Sequence, residues 1–318
     1  MITVLAGGVG AARLLAGLLD VRRASEVTAI VNVGDDLELH GLHISPDLDT
    51  VTYTLAGVID QGRGWGLAGE TWQAMDTLGR LGGERWFNLG DRDLGTHLYR
   101  TARLVDGATL SEVTAEIATG FGLDLALLPV TDDRLRTRVT VLDPASDGHE
   151  PTVREIDFQR YFVERAHSVP VTAVRFDGAE STTPAPGVLA AIADAERVVI
   201  APSNPIVSID PVLAVPGVRD AVAARRADTV AVSPIIAGAA LKGPADRMLT
   251  ELGFEASVVG IARYYVELAE ALVIDRADAA SAEAIEDLGM RCVVTDTIMS
   301  QPGVAAALGR TVVTGRTP

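Results

Sequence analysis

Ile2-Thr-Val-Leu5, Gly7-Gly8-Val9-Gly10-Ala11-Ala12-Arg13 and Val27-Thr-Ala-Ile-Val-Asn-Val33 stand in that order at the head of the chain. The outer runs are apolar and rich in β-branched residues, and Ala11 to Leu19 between them has a helical pattern. A strand, a helix and a second strand this close together form a βαβ unit, and its crossover makes the strands parallel. After Pro170 the alternation resumes. Strands are expected at Val171–Phe176, Val198–Ala201, Thr229–Val232, Ala271–Ile274 and Cys292–Thr295, with alanine-rich helices between them. This pattern predicts an α/β fold, Rossmann-like and doubly wound, with a mainly parallel sheet covered on both faces.

Between the two halves the texture changes. Thr109-Leu-Ser-Glu112 reads as a capping box opening a helix through Ile117, and Thr137–Leu142 reads as a strand, but strict alternation is lost. The expected organisation is a nucleotide-binding core of residues 1–61 and 167–318, interrupted by a mixed, largely helical sub-domain at 62–166. Asp143-Pro-Ala-Ser-Asp-Gly-His-Glu-Pro151 reads as a turn-rich surface loop.

Composition narrows the partners. The 318 residues are 48% hydrophobic and 4% aromatic, a globular balance. Against 43 acidic residues stand 27 basic ones, a net charge of −16 that repels polyanions, and no basic run exceeds Arg22-Arg23 or Arg225-Arg226. Nucleic acid and anionic membrane are therefore not expected as partners. The single cysteine, Cys292, makes no internal disulfide and, on an expected strand, reads as a buried structural thiol. The N-terminus lacks a basic signal-peptide region and no apolar run approaches bilayer length, so a cytoplasmic location is expected.

Five segments carry candidate chemistry. Gly7, Gly8 and Gly10, between strand and helix, let the backbone approach an anion, and the helix N-terminus attracts phosphate. Arg13 stands where a dinucleotide fingerprint would place its third glycine, and no Gly-Lys-Ser/Thr follows, so this is a phosphate loop of unspecified kind. Asn32-Val-Gly-Asp35-Asp36 ends the second strand, and Ser45-Pro46-Asp47-Leu48-Asp49-Thr50 follows, with Ser45 a good N-cap and Pro46 a good first helical residue. Four carboxylates within fifteen residues repel one another, and a hard cation such as Mg²⁺ would relieve them while bridging to a phosphate. Phe87-Asn88-Leu89-Gly90-Asp91-Arg92-Asp93 is either an ordinary polar loop or a binder of sugar hydroxyls and phosphate. Ala201-Pro-Ser203-Asn204-Pro205 and the loop from Ser233 to Pro244 leave strands where open sheets bind ligands. The latter holds Lys242, the one lysine beside 26 arginines. Trp65, Trp72 and Trp86 are either core residues or stacking surfaces for a planar ligand. His40 and His43 read as loop histidines.

These segments, with Thr96-His97, Thr131-Asp132-Asp133 and Lys242-Gly-Pro244, occur in an order that resembles the 2-phospho-L-lactate transferase family, including its actinobacterial phosphoenolpyruvate-transferase branch. The resemblance covers nearly the whole chain. It implies a step in making the deazaflavin coenzyme F-420, with Mg²⁺ as cofactor and a homodimeric assembly. The acceptor would be FO (7,8-didemethyl-8-hydroxy-5-deazariboflavin). The donor would be a guanosine diphosphate carrying a three-carbon acid, and GMP would leave. By motif match, Asp35, Asp36, Asp47 and Asp49 fall on the metal and acceptor side, with Asp49 placed to contact the FO hydroxyl. Asp49→Asn is then expected to lose far more rate than nucleotide affinity. Asn88 and Arg92 fall on FO or the transferring phosphate, so Asp47, Asp49 and Arg92 form the expected reacting centre. Gly7, Gly8, Gly10, Asn32, Ser203, Asn204 and Lys242 complete the binding set. One departure is Gly10-Ala11, which replaces a second glycine pair common in this loop. Two rival readings remain: a nucleotide-sugar-binding regulator of the gluconeogenesis-factor type, separated by FO binding, and an NAD-dependent oxidoreductase with Asp35 on the ribose.

Overall fold

The computed structural model describes residues 1–143 and 151–315. Most of the loop expected at 143–151 therefore lies outside the described residues. In chain order the strands are β1 (Ile2–Ala6), β2 (Val27–Val31), β3 (Leu37–Leu39), β4 (Leu42–Ile44), β5 (Ala126–Pro129), β6 (Arg136–Asp143), β7 (Thr152–Asp157) and β8 (Val171–Asp177). They continue with β9 (Arg197–Ile200), β10 (Thr229–Val232), β11 (Ile235–Ile236), β12 (Ala239–Ala240), β13 (Ala271–Asp275) and β14 (Arg291–Thr295). A seven-stranded sheet runs in the order β14-β13-β10-β9-β1-β2-β5, every neighbouring pair parallel. β1, β2 and β13 are buried at every position, as continuous β-branched and aliphatic runs covered on both faces must be.

The strand order fixes where a ligand can sit. From β1 the chain moves outward through β2 to β5. It then returns to the far side of β1 as β9 and moves out again through β10, β13 and β14. The reversal opens a crevice beyond the carboxyl ends of β1 and β9, the usual binding position in open α/β sheets.

Two expectations about strand placement need correction. Ala126–Pro129, inside the expected insertion, is β5 and pairs with β2 as an edge of the central sheet. Val171–Phe176, expected in that sheet, instead lies in β8, antiparallel to β6 in a separate sheet of order β7-β6-β8. Residues 62 and 166 are therefore not limits of sheet membership. The reason is local. Arg175 pairs with Glu155 of β7 and Asp177 with Arg134, so β8 carries a charged, exposed face that a doubly covered parallel sheet could not accept.

Helix α1 (Gly8–Leu19) starts directly after β1, three residues before the expected Ala11, so Gly8 to Gly10 are its first turn. α2 (Pro46–Leu55), α3 (Gln73–Arg80), α4 (Asp93–Val105) and α5 (Leu110–Gly120) follow. The capping box of α5 is formed: the Glu112 N–H donates to Thr109 Oγ1 at 3.3 Å, and the Thr109 N–H donates to Glu112 Oε2 at 2.8 Å. The helix Val304–Thr314 lies on α1 backbone to backbone. A Cβ added at Gly17 would come 2.2 Å from the Ala305 carbonyl oxygen, and one at Gly309 would come 2.7 Å from that of Gly17. No helix among the described residues is long and apolar enough to cross a membrane.

Candidate functional site

At the strand reversal lies a cavity of about 660 Å³. Gly7, Gly8, Gly10 and Arg13 form its floor on the α1 side, and Ser203, Asn204 and Ser208 form the β9 side. Asp35, Asp47 and Asn88 also line it, as does Lys242 in the loop after β12. Trp65, Trp86, Phe158 and Phe162 supply an aromatic wall. Five separated segments expected to carry chemistry thus converge on one space.

The glycines are required by close approach. A Cβ at Gly7 would lie 2.7 Å from Ser208 Cβ, and one at Gly10 would lie 2.2 Å from the Pro202 carbonyl oxygen. Gly8 has φ +69, a left-handed conformation that side chains disfavour. Ser203 Oγ donates to the Gly7 carbonyl at 2.7 Å and locks the β9 loop to the β1 loop. Asn204 Oδ1 accepts from the Ile206 N–H at 3.0 Å and caps a single π turn, Pro205–Ile209, that seats Ser208 against Gly7. Lys242 reaches across the mouth, where a Cβ on Gly64 would come 2.7 Å from its Nζ.

All four expected aspartates are buried, but they do not act as one cluster. Asp35 and Asp47 face the cavity. Asp47 Oδ1 accepts from the Gly8 N–H at 2.8 Å and Oδ2 from Asn32 Nδ2 at 2.9 Å. Asp35 Oδ1 is buried and has no hydrogen-bond partner among the described residues. Burial, reinforced by the Asp47 carboxylate, pushes the Asp35 carboxyl well above the usual carboxylate range. Burial also raises Asp47, to about 6, against the hydrogen bonds from Asn32 and Gly8.

Four expected site residues do not line the cavity. Asp49 gives both oxygens to the buried Arg100. It follows Asp47 by two residues on a helix, and side chains so spaced do not share a face. Asp36 turns to the β3–β4 hairpin, where Ser45 Oγ donates to its Oδ2 at 2.7 Å and His43 Nε2 lies 3.0 Å away. Ser45 is thus at the N-cap position of α2 without capping it through its side chain. Asn32 is fully buried and spent on Asp47, on the Val207 carbonyl and on the Gly34 N–H. Arg92, at the α4 N-cap, is exposed and donates from Nη1 to the Ala68 carbonyl at 2.5 Å. Its neighbour Asp91 caps α3 by accepting from the Gln73 and Ala74 N–H groups, each at 3.0 Å.

Sequence reasoning missed three contributors. Arg13 lines the cavity and has no ion-pair or hydrogen-bond partner among the described residues. Its only signal was that it stands where a dinucleotide fingerprint would place its third glycine. Arg100 lay in an ordinary helical pattern. Arg63, also lining the cavity, sits 5.4 Å from the Trp65 ring and 5.2 Å from the Trp72 ring. Trp65 and Trp86 line the cavity whereas Trp72 does not. Cys292 is half-buried in β14, and burial pushes its thiol up to about 11, so it is a poor nucleophile.

The raised aspartates set a pH dependence. A carboxyl whose folded pKa exceeds its unfolded value contributes stability below the unfolded pKa and loses it as pH rises through the folded one. For Asp47 the window runs from 3.8 to about 6, and Asp210, raised to about 6 by burial, acts in the same sense. His167, lowered mainly by burial, opposes them. Cation-free protein should therefore melt at a higher temperature at pH 5.5 than at pH 7.5. Between these two pH values the Asp47 share is on the order of 1 kcal/mol. Added Mg²⁺ should stabilise more at pH 7.5, and equal stabilisation at both pH values would contradict a carboxylate site for the cation.

The family model described as 2-phospho-L-lactate transferase CofD matches residues 2–312. A phosphoenolpyruvate transferase of Kitasatospora aureofaciens is 43% identical over 313 residues, covering 98% of this chain and 96% of that protein. The phosphoenolpyruvate transferase of Streptomyces coelicolor is 41% identical over 315 residues, covering 98% and 97%. Among solved structures, a protein of the UPF0052 family from Bacillus halodurans superposes with a TM-score of 0.61 at 17% identity, covering 98% of both chains, a likeness of fold alone.

Proposed function

The chain belongs to the 2-phospho-L-lactate transferase CofD family, and from that premise we propose that it transfers an enolpyruvyl phosphate group from a guanosine diphosphate donor to the terminal ribityl hydroxyl of FO, releasing GMP, in coenzyme F-420 biosynthesis. The name carried by relatives at 41–43% identity supports the enolpyruvyl acid over the lactyl one. The observation that carries the reading is the convergence of a glycine-lined helix N-terminus, two buried carboxylates and an aromatic wall on one cavity.

In this reading the first turn of α1 receives the diphosphate through backbone N–H groups and the helix dipole. Arg13 and Lys242 add positive charge, and Ser203 and Asn204 hold the β9 side of the nucleotide. Trp65, Trp86 and Phe158 give the planar deazaflavin ring a surface, and Asn88 faces its ribityl chain. The acceptor hydroxyl attacks the phosphorus nearer the acid. The bond from that phosphorus to the bridging oxygen breaks, GMP leaves with that oxygen, and the hydroxyl proton is lost to solvent. Such a transfer is chiefly a matter of positioning and charge.

The residues present fit a divalent cation. Among the described residues no group of three or more His, Cys, Asp or Glu side chains forms a ready cage. Asp35 Oδ1, buried beside Asp47 and unpartnered among the described residues, is what Mg²⁺ needs when it takes one or two carboxylates, keeps several waters and borrows phosphate oxygens. Bound there, the ion would supply charge neutralisation at the diphosphate. The test is incubation with FO, Mg²⁺ and each guanosine donor, followed by mass spectrometry. The enolpyruvyl adduct of FO and GMP should appear together, and folded protein that gives no adduct with any donor ends the transferase reading.

A further inference from the structure

The first amides of a helix have no partners within the helix, which is why a glycine loop leading into one can receive a phosphate. Here the first of them is already engaged. The Gly8 N–H donates to Asp47 Oδ1 at 2.8 Å, and the other oxygen of the same carboxylate is fixed by Asn32 Nδ2 at 2.9 Å. Asn32 is itself immobilised by the Gly34 N–H at 2.7 Å and by the Val207 carbonyl at 3.3 Å. Apart from its chain neighbours and its own helix, the one atom among the described residues within 4 Å of the Cβ position at Gly8 is Asp47 Oδ1, at 3.9 Å. The chain's own carboxylate thus stands where an incoming anion would bind.

We propose that Asp47 is a specificity-determining residue, a resident anion that closes the first amide of α1 to metal-free phosphates and yields it to a diphosphate that arrives with a divalent cation. This rests on the transferase reading and adds to it an order of events at the same site. One N–H cannot serve two anions at full strength. A bare phosphate must break a charge-assisted hydrogen bond and bring more negative charge beside the buried carboxylates of Asp35 and Asp47. A cation held by those carboxylates cancels that charge and removes the need of Asp47 for the Gly8 N–H. Cation and diphosphate then bind with positive coupling, and by linkage each tightens the other equally. Monophosphates, which hold divalent cations less strongly than diphosphates do, gain less from this exchange, so GMP is released more readily than the donor.

The test is calorimetric titration of GDP into wild-type and Asp47→Ala protein, in EDTA and in Mg²⁺. Wild-type protein should bind GDP weakly in EDTA and far more tightly with the cation. Asp47→Ala in EDTA should bind GDP about 10- to 100-fold more tightly than wild type in EDTA, the span expected for freeing one hydrogen bond to a charged group. It should also lose most of the gain from Mg²⁺. If Asp47→Ala does not fold, Asp47→Asn, which keeps the volume and removes the charge, should shift the same way by a smaller factor. Wild type that binds no GDP even with Mg²⁺ sinks the transferase reading itself. Wild type that binds GDP with Mg²⁺, beside variants that gain nothing in EDTA, sinks only the role given to Asp47.

Discussion

Asp35→Asn is expected to lower turnover by about 10²- to 10³-fold, the usual loss when one preorganised charged group is taken from a reacting centre. At pH 8 without divalent cation the same variant should melt at a higher temperature than wild type. Both effects come from one feature. Asp35 is buried, lines the cavity, and has an oxygen with no hydrogen-bond partner among the described residues, and its neighbour Asp47 repels its charged form. An amide of the same shape removes that repulsion and also removes the ligand that draws a cation to the diphosphate. Steady-state rates with saturating FO and donor, paired with melts in EDTA, give both readouts. A variant that keeps full turnover would rule out Asp35 as part of the centre. One that loses turnover and stability together would mark it as a structural residue.

The second large effect concerns folding. Arg100 is among the largest fully buried side chains, and its guanidinium binds both oxygens of Asp49. Its Nη1 also lies 3.3 Å from His97 Nδ1. On the far side of that ring, His97 Nε2 is 3.4 Å from Asp93 Oδ1, and Asp93 accepts from Tyr53 Oη at 2.6 Å. The network ties α4 to α2, the helix that carries Asp47 to the cavity. Arg100→Met should destabilise the protein by about 3–5 kcal/mol, because it leaves an uncompensated buried carboxylate. Asp49→Asn breaks the same pair from the other side, so its first effect should also be on stability, in contrast to the rate loss expected from the motif alone. Combining Arg100→Met with Asp49→Leu should recover much of the loss, since an apolar pair of similar volume can replace a buried ion pair. Denaturant melts of Arg100→Met, Asp49→Leu and the double variant decide this, and additive losses would show that the pair is not the source.

What was legible in the sequence follows from the range of each signal. The strands of the parallel sheet are continuous apolar runs between glycine-rich turns, and the binding crevice follows from the first βαβ unit. β5 was missed because Ala126–Pro129 is short and ends in proline, which an edge position tolerates. β8 was assigned to the wrong sheet because a run of Val and Phe names a strand but not its partner. Among the aspartates, the two-residue spacing of Asp47 and Asp49 already forbade a common direction on α2. The partner of Asp49 could not be read, because Arg100 is 51 residues away and the contact is tertiary. Arg92 was placed on FO or the transferring phosphate by motif match, although turn-forming polar residues and ligand-binding ones have the same composition. In the structure its guanidinium holds the Ala68 carbonyl.

The position of β1 also bears on how the polypeptide is made. This strand pairs on one side with residues 27–31 and on the other with residues 197–200, which are synthesised well over a hundred residues after it. The helix behind it then waits for Ala305 and Gly309 to cover its glycine face. A nascent chain stalled before residue 197 would thus expose one whole edge of β1, so ligand competence should arise late in translation.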